Sequence, residues 1–314
     1  MGQYRHGVHW LAFVVHGPKD KAFMLYDLFL RGSFGELQSM GNGGRGFKEI
    51  YSSLLGFKVY VDPSRGTEEY FHFEIPGLAC ELISWELFQG LDDVLRNTFS
   101  GRYHYSRLDY AFDDLPFTPM QVEAAIRDGD VRSLAKRKTL KVAQSAFEPK
   151  ESGEVGTHTT YFGSRQSERM IRVYDKRGYT RLELEMKGKR SDLVAKQLFG
   201  ATDFDAWFPL AVGHLRDFVE FKTKWWNEFT QGTGRAQAIV TTPKEASEAV
   251  LTKWMTHQVA ASLSVMDDLH PEHFIRDLLA TGKTKRKRSK RLQLLLSGKR
   301  QAREGGENES NSVA

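Results

Sequence analysis

Three short segments alternate charged and apolar residues with a period of two, and this pattern constrains the fold more than any other feature. They are Arg107-Leu-Asp109-Tyr-Ala111-Phe-Asp113, Met170-Ile-Arg172-Val-Tyr174-Asp-Lys176 and Arg181-Leu-Glu183-Leu-Glu185-Met-Lys187. Successive side chains of a strand point to opposite faces. Arg107, Asp109, Ala111 and Asp113 therefore share one face of their strand. Arg172, Tyr174 and Lys176 share a face of the second, and Arg181, Glu183, Glu185 and Lys187 a face of the third. Ile171, Val173, Leu182, Leu184 and Met186 are left for the opposite, buried side. Side by side, such strands make a sheet with one apolar face and one face of carboxylates, cations and a tyrosine.

The remaining elements extend this sheet. Val8 to Val15 reads as a strand closed by His16-Gly17-Pro18, and Lys21 to Leu30 as a helix. Gly41 to Gly46 is a glycine-rich turn. Tyr51 to Val61 and Tyr70 to Ile75 read as antiparallel strands, with Phe71, Phe73 and Ile75 on one face. Cys80 to Leu95 repeats apolar residues at helical spacing and directs Asp92 and Asp93 outward. Tyr103 to Phe112 is a strand, and a helix from Met120 to Arg127 starts at Pro119 with Thr118 as its N-cap. Thr157 to Phe162, Met170 to Tyr174 and Thr180 to Met186 are strands. Ser191 to Phe199, a long aromatic stretch from Phe208 to Phe229, Glu245 to Val259 and His273 to Leu279 read as helices. No internal repeat is visible. The expected fold is α+β: an antiparallel sheet with packed helices over residues 1–231, a small helical segment over 232–281, and a disordered tail over 282–314 that is basic and then acidic.

Charge sharpens that division. The chain carries +5 overall, yet residues 283–303 hold ten Lys or Arg and no acid. Residues 1–282 hold 35 basic and 37 acidic side chains, a formal charge of −2. The body is near neutral, so nucleic-acid affinity has to be sought in local patches and in the tail. Cys80 is the single cysteine, which excludes an internal disulfide and any multi-cysteine metal site and points to a reducing, cytoplasmic location. No apolar run approaches the roughly 18–20 residues of a membrane span, and the polar N-terminus shows no secretory signal.

The polar sheet face suits metal-assisted phosphoryl transfer. Carboxylates from different strands can hold Mg²⁺ or Mn²⁺, which prefer oxygen ligands, while Arg or Lys neutralises charge developing on a scissile phosphate. Nearby cations can lower the pKa of a tyrosine phenol, ordinarily ~10, and make it nucleophilic. A hydrolytic nuclease needs no such tyrosine, so Tyr174 discriminates between the two chemistries. The same charges could be cross-strand ion pairs, and Tyr174 a buried strand tyrosine; Tyr161 and Tyr179 are alternative nucleophiles. Gly163 and Ser164 suit a hairpin turn better than a phosphate cradle, since no Walker spacing exists.

The strings Arg107-Leu-Asp109-Tyr-Ala-Phe-Asp113, Tyr161-Phe-Gly163-Ser-Arg165-Gln-Ser167, Arg172-Val-Tyr174-Asp-Lys176 and Arg181-Leu-Glu183-Leu-Glu185, in that order, resemble the replication initiation factor (Rep_trans) family of rolling-circle plasmid and filamentous phage initiators. The resemblance spans roughly Gly7 to Trp226. It implies origin-specific nicking of one DNA strand, a covalent 5′-phosphotyrosyl intermediate, a divalent metal and a host helicase as partner, a homodimer being a separate expectation. It makes Tyr174 the nucleophile, flanked by Arg172 and Lys176, and makes Asp109, Glu183 and Glu185 metal ligands, with Asp113 a further candidate. The paired-histidine signature of His-hydrophobic-His nickases is not evident: His158 lies between two threonines and His104 is isolated.

Candidate DNA contacts are Arg165, the cluster Arg132, Lys136, Arg137, Lys138 and Lys141, and the tail residues Lys283, Lys285, Arg286, Lys287 and Arg288. Both double-stranded and single-stranded origin DNA are expected partners. Two other functions remain open on the residues alone: a non-enzymatic sequence-specific DNA-binding regulator, and a metal-dependent hydrolytic nuclease.

Overall fold

A computed structural model describes residues 4–145, 157–176, 178–236, 252, 255–269 and 274–286. The chain divides into two compact units, residues 1–239 and 240–314. The first contains β1 (His6–His16), α1 (Lys19–Phe29), α2 (Arg31–Phe34), β2 (Gln38–Ser39), β3 (Phe47–Ser52), β4 (Lys58–Pro63), β5 (Tyr70–Ile75), α3 (Gly77–Cys80), α4 (Trp85–Thr98) and β6 (Tyr103–Phe112). It continues with α5 (Pro119–Asp128), β7 (Val131–Ser133), β8 (Lys141–Gln144), β9 (His158–Phe162), β10 (Arg169–Lys176), β11 (Tyr179–Lys187), α6 (Gly188–Phe199), α7 (Trp207–Phe218), β12 (Val219–Phe221) and α8 (Lys224–Thr230). In the second unit the described helices are Met255–Val259, Ala260–Leu269 and Phe274–Arg286.

Ten strands form one sheet in the order β2-β3-β4-β5-β1-β6-β11-β10-β9-β8, with every pairing antiparallel. The three charge-alternating segments are therefore neighbours at its centre. Their apolar residues enter a single core with buried side chains of α1, α4, α6 and α7.

The order conceals a duplication. β1 leads through α1 into a meander, β2 to β5, whose last strand returns beside β1. Likewise, β6 leads through α5 to β8–β11, whose last strand returns beside β6, and the halves join at β1–β6. Register makes the equivalence specific. Lys58 faces Glu74 and Tyr60 faces His72, as Arg172 faces Glu183 and Tyr174 faces Arg181. Ala12 pairs with both Glu74 and Arg107, so the two halves present these residues on one common face.

Several expectations change. Tyr51 to Val61 is two strands, because Leu54 to Gly56 make a tight turn in which Gly56 adopts φ +80°. The expected helix from Cys80 breaks before Trp85, where Ser84 caps α4. The expected long helix from Phe208 ends at Phe218, because Val219–Phe221 pairs with β7, and Thr223 caps a new helix. Asp92 points inward: it accepts the hydroxyls of Tyr103 (3.2 Å) and Tyr105 (2.8 Å) and pairs with Arg96. Buried tyrosine hydroxyls need an acceptor, and that need outweighs the helical pattern. The capping box at Thr118 and Gln121 forms as expected.

The helix expected from His273 to Leu279 continues to Arg286, so residues 282–286 of the expected tail are helical. Most of the Glu245 to Val259 segment and residues 287–314, with the acidic end of the tail, lie outside the described residues. Among the described residues no helix is long and apolar enough to cross a membrane.

Candidate active site

Antiparallel register sets the charged residues of β6, β11 and β10 against one another. Asp109 lies opposite Glu185, Arg107 opposite Lys187, and Arg172 opposite Glu183. Asp109 is fully buried and is gripped by Arg107 through two hydrogen bonds of 2.8 and 2.7 Å, with Arg172 Nη2 at 3.1 Å. Arg107 also reaches Glu185 (3.0 Å) and lies over the Trp10 ring, while Lys187 Nζ stands 2.6 Å from Glu185. Arg172 bridges Asp109 and Glu183. Carboxylates withdrawn from water require this neutralisation.

The Tyr174 hydroxyl donates to Glu183 Oε1 at 2.5 Å, and His9 Nδ1 stands 3.0 Å from the same oxygen. Burial would raise the Glu183 pKa, but the hydrogen bond from His9, the charge of Arg172 and the Tyr174 hydroxyl outweigh it and bring the group down to about 2. Asp109 moves the other way: burial raises it against the opposing charge of Arg107. The Tyr174 phenol is also raised, first by burial and then by the Glu183 charge. This reverses the expectation that neighbouring cations lower it. Arg181 does lower it, but burial and the Glu183 carboxylate that the hydroxyl touches outweigh that cation.

His9 escaped the sequence reading. It occupies a register shift of β1 between Val8 and Trp10, and packs on Gly77, where an added Cβ would stand 2.4 Å from its Nε2. Only a glycine at 77 leaves room for the imidazole. A histidine in an otherwise apolar strand was the available signal. Glu81 was also missed; it pairs with Lys176 at 2.8 Å.

Tyr174, Arg172, Asp109, Glu183 and Glu185 are thus brought together. Asp113 is not part of that group: it lies past the end of β6 and forms a two-pronged pair with Arg181 at 2.5 and 2.6 Å. Tyr161 sits opposite Arg172 on β9, and Tyr179 opens β11 beneath the Arg5 guanidinium. The expected DNA contacts are dispersed. Arg132 is on β7, Lys136 to Lys138 are at a short helical turn, Lys141 is on β8 and Arg165 is in the β9–β10 turn, all exposed. Lys283 is exposed on the last described helix; the side chains of Lys285 and Arg286, and Lys287 and Arg288 entirely, lie outside the described residues.

Asp109, Glu183 and Glu185 offer only oxygen donors, on two adjacent strands of one face, and in donor chemistry they fit Mg²⁺ or Mn²⁺. Each is engaged with a cation or hydrogen-bond donor, and among the described residues no three His, Cys, Asp or Glu side chains converge as metal ligands.

A family model described as replication initiation factor matches residues 104–281. Among solved structures, the rolling circle replication initiator protein from Geobacillus stearothermophilus is similar in fold. It is 23% identical, with a TM-score of 0.52, over 74% of this chain and 93% of that one. No curated protein matches.

Proposed function

The chain belongs to the replication initiation factor family, and from that premise we propose a rolling-circle initiator that binds origin DNA, nicks one strand with Tyr174 and later rejoins it. The observation that carries the proposal is the 2.5 Å hydrogen bond from Tyr174 to Glu183, on a face where arginines sit beside carboxylates. The phenolic oxygen attacks the scissile phosphorus; its O–P bond forms as the P–O3′ bond breaks, leaving a 5′-phosphotyrosyl link and a 3′-hydroxyl. The phenolic proton passes to Glu183. The departing 3′-oxygen takes a proton from Lys176, on the same strand face two residues further along. Reversal of the same steps rejoins the strand.

At rest the proton stays on Tyr174, because Glu183 is a weak base with a pKa of about 2. Arg172 couples substrate to activation. A DNA phosphate competing for its guanidinium draws positive charge away from Glu183, and the proton affinity of that carboxylate rises. Asp109, Glu185 and Glu183 are the residues that would hold a divalent ion, which when bound polarises the scissile phosphate. Arg132, Lys136, Arg137, Lys138, Lys141 and Arg165 supply phosphate contacts that position the DNA without reading its sequence. A host helicase and a second copy of the chain are partners on the same reading.

The test is incubation with supercoiled origin DNA and Mg²⁺ or Mn²⁺, comparing wild type with Tyr174→Phe. A covalent adduct on wild type and none on the variant is the expected result; adduct at full yield on the variant overturns the assignment. Cleavage that survives Tyr174→Phe but fails in Glu183→Ala would identify a hydrolytic nuclease. Tight binding indifferent to chelator, without strand breakage, would identify a DNA-binding regulator.

A further inference from the structure

Consecutive residues of a strand point to opposite faces, yet His9 and Trp10 both meet the polar face of the sheet. His9 Nδ1 stands 3.0 Å from Glu183 Oε1, and the Arg107 guanidinium lies over the Trp10 ring. The cause is a bulge. Val8 pairs with Tyr110 and Trp10 with Asp109, so β1 takes two steps where β6 takes one, and His9 is the extra residue. Such a bulge interrupts the ladder and re-aims a side chain. β5 pairs with β1 only from Leu11 onward, so no strand on that side holds this stretch in regular register.

The redirected ring has to pass a whole strand, because β6 lies between β1 and β11. Ala111 occupies the intervening place, paired with Gly7 on one side and Glu183 on the other. Neither residue has a side chain long enough to fill the way, and the imidazole reaches the carboxylate. Behind the ring is Gly77, where an added Cβ would stand 2.4 Å from Nε2, 2.5 Å from Cε1 and 2.9 Å from Cδ2. The imidazole is clamped between Gly77 and Glu183.

Glu183 is ionised near neutrality, and a carboxylate only accepts, so Nδ1 carries the proton in this contact. Oε1 receives two donors, the Tyr174 hydroxyl at 2.5 Å and His9 Nδ1–H at 3.0 Å, while Arg172 pairs with Oε2. The terminal torsion of a glutamate is broad. Held by Arg172 alone, the carboxylate could turn and leave the phenol without its acceptor. Donors on both oxygens, two of them on Oε1, fix its plane.

We propose that His9 is a positioning residue for the tyrosine step, holding Glu183 with Oε1 turned to the Tyr174 hydroxyl; the role rests on the nicking reading. The phenolic proton leaves along a hydrogen bond already formed, and His9 keeps its own Nδ1 proton throughout.

The experiment measures single-turnover adduct formation by the full chain on supercoiled origin DNA with Mn²⁺. His9→Ala should slow it by about tenfold to a hundredfold, the usual consequence of losing a residue that orients a reactive group. The DNA concentration giving half the maximal rate should be unchanged. His9→Asn should restore most of the rate, because its amide N–H can stand where Nδ1–H stands. Gly77→Ala should slow the reaction as His9→Ala does, although its methyl brings no chemical group to the site. Gly77 lies outside the positive-φ region, so alanine meets no backbone strain there. Joining His9→Asn to Gly77→Ala should recover the rate, since asparagine lacks the Nε2 and Cε1 atoms that the methyl strikes.

A wild-type rate in His9→Ala, or His9→Asn as slow as His9→Ala at an unchanged urea midpoint, overturns the proposal. So does a His9→Ala rate restored in full by more Mn²⁺, which would make His9 a metal ligand. If His9→Ala fails to fold, Gly77→Ala against the double variant decides: recovery supports the clamp and no recovery overturns it. A second readout needs no DNA. In protein labelled with nitrogen-15 histidine, His9 Nδ1–H should give a hydrogen-bonded proton resonance that Glu183→Ala and Gly77→Ala both remove. Its absence from wild type overturns the proposal. If wild type shows the resonance but forms no adduct, the nicking reading falls and the clamp stands as structure. Equal adduct rates in wild type and all these variants remove the positioning role and leave the nicking reading in place.

Discussion

Glu183 Oε1 accepts the Tyr174 hydroxyl at 2.5 Å and stands 3.0 Å from His9 Nδ1, so a single carboxylate oxygen joins side chains from β10 and β1. Glu183 is ionised above about pH 2 and the Tyr174 phenol is raised above its usual 10, so the reactive pair, carboxylate with neutral phenol, predominates throughout the neutral range. Single-turnover adduct formation should be flat between about pH 5 and 9. A rate climbing tenfold per pH unit over that interval would mean free phenolate attacks and Glu183 takes no proton.

The same carboxylate makes an acid-stability prediction. Its pKa falls from 4.5 to about 2 on folding, so its stabilisation is fully present above about 4.5 and is lost as the pH drops through about 2. The shift corresponds to about 3 kcal/mol. In urea titrations at pH 5 and pH 2, wild type should lose about that much more stability than Glu183→Gln. Equal losses would refute the shift.

Asp92 accepts two tyrosine hydroxyls from β6, and its loss leaves both in the core without that acceptor. Asp92→Leu should destabilise the fold by about 3 kcal/mol in urea unfolding. Combining it with Tyr105→Phe should recover part of that cost through coupling; strict additivity would argue against the contact.

Tyr60 occupies the place of Tyr174 in the other half of the sheet and donates to Glu74 at 3.0 Å. It is almost fully buried, and Trp10 and Pro76 stand where its counterpart has Asp109 and Glu185. Tyr60→Phe should therefore leave adduct yield unchanged and cost about 1 kcal/mol of stability. Loss of the adduct with the fold intact would show that both tyrosines take part.

Truncation after Arg286 removes seven Lys or Arg with three Glu. Binding measured from 50 to 200 mM salt should become less salt-sensitive, by up to ~0.9 in log–log slope for each phosphate no longer neutralised. Nicking at saturating DNA should persist. An unchanged slope would remove these residues from the DNA interface.

Much of the candidate site was legible before folding, because period-two alternation is a local property. It put Asp109, Glu183, Glu185, Arg172 and Tyr174 on one face of three strands, and the register later set Asp109 against Glu185 and Arg172 against Glu183. The cap at Thr118 was legible for the same reason, being written within four residues. The inward turn of Asp92 was not, since the hydroxyls it accepts lie on another element. Nor was the break after Phe218, where pairing with β7 overrides an apolar helical stretch.

Tertiary structure alone decided which charges meet. His9 reaches Glu183 because β1 shifts register beside β6 and Gly77 leaves space for the ring. Asp113 is committed to Arg181 because it follows Phe112, which the register sets opposite Leu182, and so comes to face the neighbouring guanidinium. The Tyr174 phenol is raised although cations flank it in sequence, because its burial and the Glu183 charge outweigh the lowering by Arg181. Which side of a strand a residue occupies follows from counting along the chain, whereas its electrostatics depend on burial and on neighbours that only the assembled sheet supplies.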